Sequence, residues 1–508
     1  MCSRLLGLVR EQIFAGLFGA GYAYDAFVVA FRIPNLLRDL FGEGALSAAF
    51  VTVFSDYDST RGEKATWQLA STVLTFFAVF LSLLTLGGIY LAHPIVNLLA
   101  PDFQLVAGKT DLTVYLTRIM FPFLIFIALA AVIMGILNTR GRFFVPAMAS
   151  SFFNLGSIVG GVSLALFFPH IGQPAIAGMA WGTLIGGLLQ LLIQLPAARR
   201  TGFSFRPRFD LRHPGLKRIL LLMLPATIGL SATQINIFVN TNFAASCAEG
   251  SVSWLNYAFR LVQLPIGIFG VAFSIAIMPI LGRQAATKDL QSLQQTFHSS
   301  LIMVLSLTIP ATAGLILLAA PIIRLIFEHG AFDALDTLRT AEALTFYAYG
   351  LFAYSAVKVM VPVFYALGDT KYPVIGSFIA VAANITIIIL TIDHFQHKAI
   401  ALSTSCSMTL NFLFLGVILY RKLAGFSLQP LYGGSAKILL ATAAMSGAVL
   451  GLKAWLSLWL KGALLFQLLG VLGIILTGGV IYYLVLHRLG LPELTLITDK
   501  IRQRLRRT

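Results

Sequence analysis

Apolar stretches of about twenty residues recur from one end of the chain to the other, each long enough to cross a hydrocarbon core of about 30 Å. Inside lipid there is no water to satisfy backbone N–H and C=O groups, so a spanning segment must be a helix or part of a closed barrel. A barrel would alternate polar and apolar residues over segments of about ten, and no such alternation runs through this sequence. Charge agrees. Only 11% of the 508 residues are Asp, Glu, Lys or Arg, against about 25% in a soluble domain. The fold class expected is an all-α polytopic membrane protein of about fourteen transmembrane helices, at roughly 1–18, 23–41, 67–91, 112–137, 147–168, 174–195, 216–245, 252–281, 296–320, 338–367, 372–392, 398–420, 435–458 and 464–486.

The formal net charge is +16, yet the basic residues gather in every second connection, which points away from nucleic acid. One set of connections holds Arg61, Lys64, Arg140, Arg142, Arg199, Arg200, Arg206, Arg208, Arg212, Lys217, Arg218, Arg283, Lys288, Lys371, Arg421, Lys422 and the tail DKIRQRLRRT. The other offers little beyond Lys109, Arg324, Lys398 and Lys461. By the positive-inside rule the first set is cytoplasmic and both termini lie inside; the basic tail also suits the anionic headgroups of membrane lipids. Cys2, Cys247 and Cys406 have no metal-binding or redox spacing. The first segment, MCSRLLGLVREQIFAGLFGAG, leaves no room for a cleavable leader. It is short for a span and begins with its polar motif already under way, as a late start site or a truncation would produce.

The chain repeats itself. AFRIPNLLRDLFG starts at Ala30 and AFRLVQLPIGIFG at Ala258, both keeping Ala-Phe-Arg and, nine residues after the Arg, Phe-Gly. LNTRGRFFVP, ending at Pro146, and LGDTKYP, ending at Pro373, form a second echo at nearly the same offset of about 228 residues. Two six-helix lobes are expected, 1–200 and 201–425, followed by two extra helices and a basic tail over 426–508. Six helices separate the copies, so the repeats run parallel and imply a pseudo-two-fold axis along the membrane normal with a cavity between the lobes.

Arg4, Arg10, Glu11, Asp25, Arg32, Arg38, Asp39, Arg118, Arg260 and Lys358 fall within or beside the spans. A central arginine costs about 2.5–3.5 kcal/mol on insertion scales, so four in bare lipid would cost on the order of 10 kcal/mol. Snorkelling to the headgroups is the simpler account of Arg32 and Arg118. Asp25, Arg32 and Asp39 share a stripe at seven-residue spacing that would serve to bind the first helices together, with Arg38 about 100° away from Asp39. Arg4, Arg10, Arg38 and Arg260 carry one sign, come from both repeats and outnumber the acids within the spans. Such a cluster suits a multidentate anion, above all a phosphate, and Lys358 adds a point charge. An acidic cavity, as cation transport would require, is not written here. The eight histidines form no HExxH, and no GxxxxGK[ST] loop is present. No catalytic residue, metal site or cofactor is assigned.

SRLLGLVREQIFAGLFGAGYAYDAFVVAFRIPNLLRDLFGEGALSAAFV resembles the N-terminal signature of the MurJ (MviN) lipid II flippases of bacterial peptidoglycan synthesis, within the MOP exporter superfamily that includes the MATE drug exporters. GSVSWLNYAFRLVQLPIGIFGVAFSIAIMPIL and ALGDTKYPV resemble its second-half signatures, and the likeness runs over essentially the whole chain. The resemblance implies a bacterial inner-membrane carrier, not an enzyme, that moves undecaprenyl-diphosphate-linked disaccharide-pentapeptide outward by alternating access. It also implies that Arg4, Arg10, Arg38 and Arg260 hold the diphosphate and nearby sugar, that Asp25 and Glu43 pair with arginines as gates close, and that the last two helices offer a groove to the polyprenyl tail. Two departures stand out. Phe259 and Gln263 occupy places where many members carry acids, and the segments TQINIFVNTNF and PVIGSFIAVAANITIII offer only amides and hydroxyls to the sodium site of some members. The partners expected are lipid II and membrane lipids, with the protein a monomer. The rival readings are a flippase for another polyprenyl-diphosphate glycan, such as an O-antigen or capsule repeat, and an enzyme acting on polyprenyl phosphates in the membrane.

Overall fold

The computed structural model describes residues 2–40, 45–423, 425 and 427–493, and every described element is a helix. Two compact units divide the chain. The first comprises 1–253 with 330–332, and the second comprises 254–329 with 333–508.

The first unit contains α1 (Cys2–Phe18), α2 (Tyr22–Arg38), α3 (Ala45–Thr60), α4 (Gly62–Tyr90), α5 (Ala92–Leu99), α6 (Lys109–Met120), α7 (Phe123–Thr139), α8 (Phe144–Phe167), α9 (Ala175–Leu192), α10 (Leu195–Arg199) and α11 (Pro214–Ala245). It also holds the first turn of α12 (Ser251–Pro265). The second unit takes the rest of α12 and continues with α13 (Ala272–Ala286), α14 (Leu290–Leu317), α15 (Ala319–Phe327), α16 (Ala334–Ala348), α17 (Leu351–Ala366), α18 (Lys371–Phe395), α19 (His397–Lys422), α20 (Gln429–Trp455) and α21 (Leu464–Arg488).

Among the described residues ten helical runs are long and apolar enough to cross a membrane, or twelve when α11 and the pair α16–α17, bent by 42°, are each taken as one span. The helices α1 and α2, 17 residues each, are the expected first two spans and carry three charged residues apiece. One region differs from the hydropathy reading. Residues 45–60, expected in a connection, form α3, whose Leu46, Phe50, Val53, Phe54 and Tyr57 are buried in the core of the first unit against α4, α7 and α11. Its acids Asp56 and Asp58 sit on the other face and pair with Arg218 and Arg140 at 2.5 and 2.8 Å, so polar residues dilute an otherwise spanning-type stretch.

The internal repeat is visible in the backbone. Arg32 is followed by a widened, π-type turn at 39–40, and Arg260 by one at 266–271. Each copy carries a proline in this stretch, Pro34 and Pro265, which removes an i→i−4 hydrogen bond and makes room for the change of helical pitch.

In the first unit α8 and α9 approach so closely that glycine is required along the seam. A β-carbon on Gly178 would lie 2.2 Å from the Ala165 nitrogen, and one on Gly182 would lie 2.5 Å from the Gly161 backbone. Neither neighbour is a side chain that can swing aside. We expect Gly182→Val to destabilise the protein by about 3 kcal/mol or more, at the upper end of overpacking costs. Thermal unfolding in detergent reads the effect, and an unchanged midpoint would contradict this packing.

The second unit handles Pro310 in a related way. This proline lies inside α14 and has no N–H to give to the carbonyl four residues earlier, that of Ser306. The Tyr482 hydroxyl on α21 donates to that carbonyl at 2.5 Å. Lys453 on α20 donates to Leu317 at the end of the same helix at 2.6 Å, so both C-terminal helices are fastened to α14 through carbonyls its geometry leaves open.

Candidate functional site

In the first unit the N-termini of α2 and α12 come together, and the carboxylates around them are shared. Asp25 belongs to the first turn of α2 and is 1% exposed. Its Oδ1 accepts from the Ser253 amide at 3.0 Å and the Ser253 hydroxyl at 2.6 Å; its Oδ2 accepts from the Gly250 amide at 2.8 Å and Lys109 Nζ at 3.0 Å. Glu249 returns the favour, accepting from the Tyr22 amide at 3.0 Å. Tyr22 and Gly250 stand at equivalent places in the two repeats, so the amide at the entry to each copy's helix is held by an acid of the other. Two helix N-termini concentrate partial positive charge, and with the Lys109 ammonium they surround the buried Asp25 carboxylate with donors.

Arg10 is 8% exposed, which excludes snorkelling for this residue. Its Nη2 donates to Glu11 at 2.8 Å, and the Tyr24 hydroxyl donates to the other Glu11 oxygen at 2.5 Å. The guanidinium lies near the rings of Phe14 and Phe153, at 5.8 and 5.4 Å from their centroids. An arginine so placed has a delocalised charge, one carboxylate and two aromatic neighbours. Arg38 and Asp39 also pair, at 3.0 Å, although adjacent residues on a helix diverge by about 100°; the long guanidinium folds back where the pitch widens. Asp39 accepts in addition from Gln234 of α11 at 3.2 Å. Arg4 is exposed on α1 and makes no ion pair among the described residues. Arg118, read as a snorkelling residue, is exposed and donates to the Ile89 carbonyl at the end of α4 at 3.3 Å. Glu43 lies outside the described residues.

In the second unit Arg260 is half-buried on α12, and Lys358 is exposed on α17. Beside Lys358 runs the π-type segment, close enough that a β-carbon on Gly270 would reach the Lys358 Cβ at 3.5 Å. Lys358 makes no ion pair among the described residues. Phe259, standing where family members carry an acid, instead packs on Tyr347 at 5.2 Å between ring centroids, with Tyr354 at 6.5 Å. The start of α12 is fixed by Trp254, whose indole N–H donates to buried Asp336 at 2.9 Å and whose ring meets His397 edge-on.

Thus the structure places Arg10, Arg38 and Asp25 in defined ion pairs within the first unit and leaves Arg4 and Lys358 exposed. The acid that meets Asp25's helix is Glu249, and Asp25's cation is Lys109, which the charge pattern alone places in a connection. Their one signal was position: Glu249 and Gly250 precede the second repeat as Gly21 and Tyr22 precede the first. Taken unit by unit, cationic side chains exceed their carboxylates in these membrane helices, which suits an anionic ligand.

The family model for the lipid II flippase MurJ matches residues 14–470. The chain belongs to the MurJ family. It is 34% identical to the probable lipid II flippase MurJ of Vibrio cholerae, with 96% of this chain and 94% of the relative aligned. It is 36% identical to the lipid II flippase MurJ of Burkholderia cenocepacia over 82% of this chain and 81% of that protein. Among solved structures, a lipid II flippase MurJ in an inward closed conformation superposes with a TM-score of 0.78 at 29% identity, covering 95% of this chain and 97% of that one. An inward-facing MATE family multidrug transporter of the MOP superfamily superposes at 0.68 with 13% identity, over 83% of this chain and 94% of its own, and shows a shared fold. This MurJ family member is therefore a membrane protein of the MOP architecture.

Proposed function

We propose that this protein is a lipid II flippase, a transporter and not an enzyme, that carries the undecaprenyl-diphosphate-linked peptidoglycan precursor across the bacterial cytoplasmic membrane by alternating access. Membership of the MurJ family over residues 14–470 carries this reading. Arg4, Arg10, Arg38, Arg260 and Lys358 bind the diphosphate; Asp25 and Glu43 act at the gates. For Asp25 the support is its hold on the Gly250 and Ser253 amides, a contact that must loosen if that end is to open. Both termini face the cytoplasm, as the basic connections favour, and the carrier works as a monomer in contact with membrane lipids.

The physical cycle follows from charge. A bound diphosphate neutralises the arginines and permits closure; once it leaves, the cationic carrier returns inward under the membrane potential, worth about 2.3 kcal/mol per charge per 100 mV. No nucleotide is needed.

The test is outer-face exposure of lipid II in cells depleted of their own flippase and expressing this chain. The parent restores exposure, and Arg260→Ala abolishes it at equal membrane abundance. A parent that restores export of an O-antigen or capsule repeat but not of lipid II would reassign the cargo.

A further inference from the structure

Between α10 and α11 the chain crosses the flank of α4 without forming a helix. Gly202, with φ of 88°, turns the backbone, and residues 203–210 then form no helix, with amides two residues apart directed to the same neighbour as in an extended segment. Phe203 is buried against Trp67 at 5.4 Å between ring centroids. The amides of Arg206 and Arg208 donate to Ser71 Oγ and Thr75 Oγ1 of α4 at 3.3 and 3.1 Å. This register is geometric: two extended residues rise about 6.6 Å, close to the ~6 Å between residues four apart on a helix. Pro207, whose amide would point away from α4, has no N–H to leave unsatisfied. At the far end Asp210 accepts from the Arg212 amide at 3.0 Å, and His213 opens α11.

An extended segment puts alternate residues on opposite faces. One face here is Phe205, Pro207 and Phe209, and the other is Arg206, Arg208 and Asp210; Leu211 and Arg212 follow in a turn closed by the His213 amide on the Asp210 carbonyl at 3.3 Å. Phe205, Phe209 and Leu211 are 50%, 56% and 54% exposed, although apolar core lies close beneath them. Arg206 and Arg212 are exposed, and Arg208 has only a loose contact with Asp210, at 3.9 Å. Ser71 and Thr75 lie nine and thirteen residues into α4, about 13 and 19 Å from its charged start at Glu63 and Lys64. Trp67 sits just above them, as an interfacial aromatic does. The strap therefore starts, beside Trp67, at the level where headgroups give way to acyl chains, and its Arg206 and Arg208 amides reach one and two turns further along α4.

We propose that residues 203–212 form a binding site for the headgroup of an anionic glycerophospholipid. Phe205, Phe209 and Leu211 enter the acyl region, and Arg206, Arg208 and Arg212 take the phosphates. Three arginines against a single acid set the charge of the ligand, and the adjacent apolar face selects a lipid over a free phosphate. The fixed backbone makes the site specific, because the guanidinium spacing is set by α4 and not by a mobile loop. This site does not depend on which cargo the protein carries.

The experiment uses the full chain purified in detergent with phosphatidylcholine alone or mixed with phosphatidylglycerol, and native mass spectrometry counts the retained lipids. The parent retains phosphatidylglycerol preferentially. Replacing Arg206, Arg208 and Arg212 together by Gln lowers that preference roughly a hundredfold, from about fivefold per basic residue. The triple Lys variant, which keeps the charge, stays within about tenfold of the parent by the same reckoning; it also controls for folding of the Gln variant. Equal retention of phosphatidylglycerol by parent and Gln variant would overturn the proposal. So would a Gln variant that keeps phosphatidylglycerol but loses undecaprenyl diphosphate, which would assign the strap to the cargo headgroup instead.

Discussion

Lys109→Met is expected to destabilise the protein by about 3–5 kcal/mol, because it strands the Asp25 carboxylate among buried groups with its formal charge unbalanced. Lys109 and Asp25 are each 2% exposed at the side chain and 3.0 Å apart, so water cannot take over when either is lost. Asp25→Ala should cost at least as much, since it also frees the Gly250 and Ser253 amides, and each lost cap adds about 1 kcal/mol. The two changes together should cost much less than their sum. Once the carboxylate is gone, a buried lysine is itself the liability, and methionine fills its volume without a charge. Denaturant unfolding of the parent, both single variants and the double variant in detergent completes the cycle. A coupling energy near zero would mean that the pair is only a contact and that the capped N-termini alone hold Asp25. A coupling of about 2 kcal/mol or more would identify it as the electrostatic anchor of the α2–α6 pairing.

This pair also shows where a linear reading stops. Asp25 was legible, as an acid close to a span with arginines at helical spacing. Lys109 was not, because a lysine followed by Thr-Asp at the start of a helix has the pattern of an ordinary solvated first turn. What buries it is tertiary: Phe103 covers the ammonium at 4.4 Å from its ring centroid, and α2 closes over the rest. Helix α3 escaped for a different reason. Hydropathy averages over a window, and Asp56, Asp58 and their neighbours offset an apolar face that contacts protein and not lipid. The helical membrane class and the repeat were readable because both rest on long-range regularities, apolar length and a fixed offset, that no single contact overrides. The arginines at 10 and 38 were recognised as functional candidates, but their partners at 11 and 39 were not, since neighbouring helical residues are expected to diverge and only a long guanidinium can bend back.

The adjacency of Arg10 and Glu11 makes a second large effect testable, one that separates folding from transport. Replacing Arg10 alone leaves Glu11 buried with Tyr24 as its neutral donor, and replacing Glu11 alone leaves a guanidinium 8% exposed without its carboxylate. Each single change should therefore cost about 3–5 kcal/mol and reduce the amount of folded protein. The double variant Arg10→Met/Glu11→Leu removes both charges and retains apolar volume beside Phe14 and Phe153. Buried pairs replaced in this way are frequently neutral or stabilising by about 1–4 kcal/mol, so its unfolding midpoint should match or exceed the parent's. Its outer-face exposure of lipid II should nonetheless fall to the level of cells with no flippase, because the residue proposed to meet the diphosphate is gone. Stability regained with transport lost would mean that the pair is kept for its cargo, at a cost to the fold that methionine and leucine avoid. Transport regained along with stability would assign Arg10 to the architecture of α1 and leave the diphosphate to Arg4, Arg38, Arg260 and Lys358.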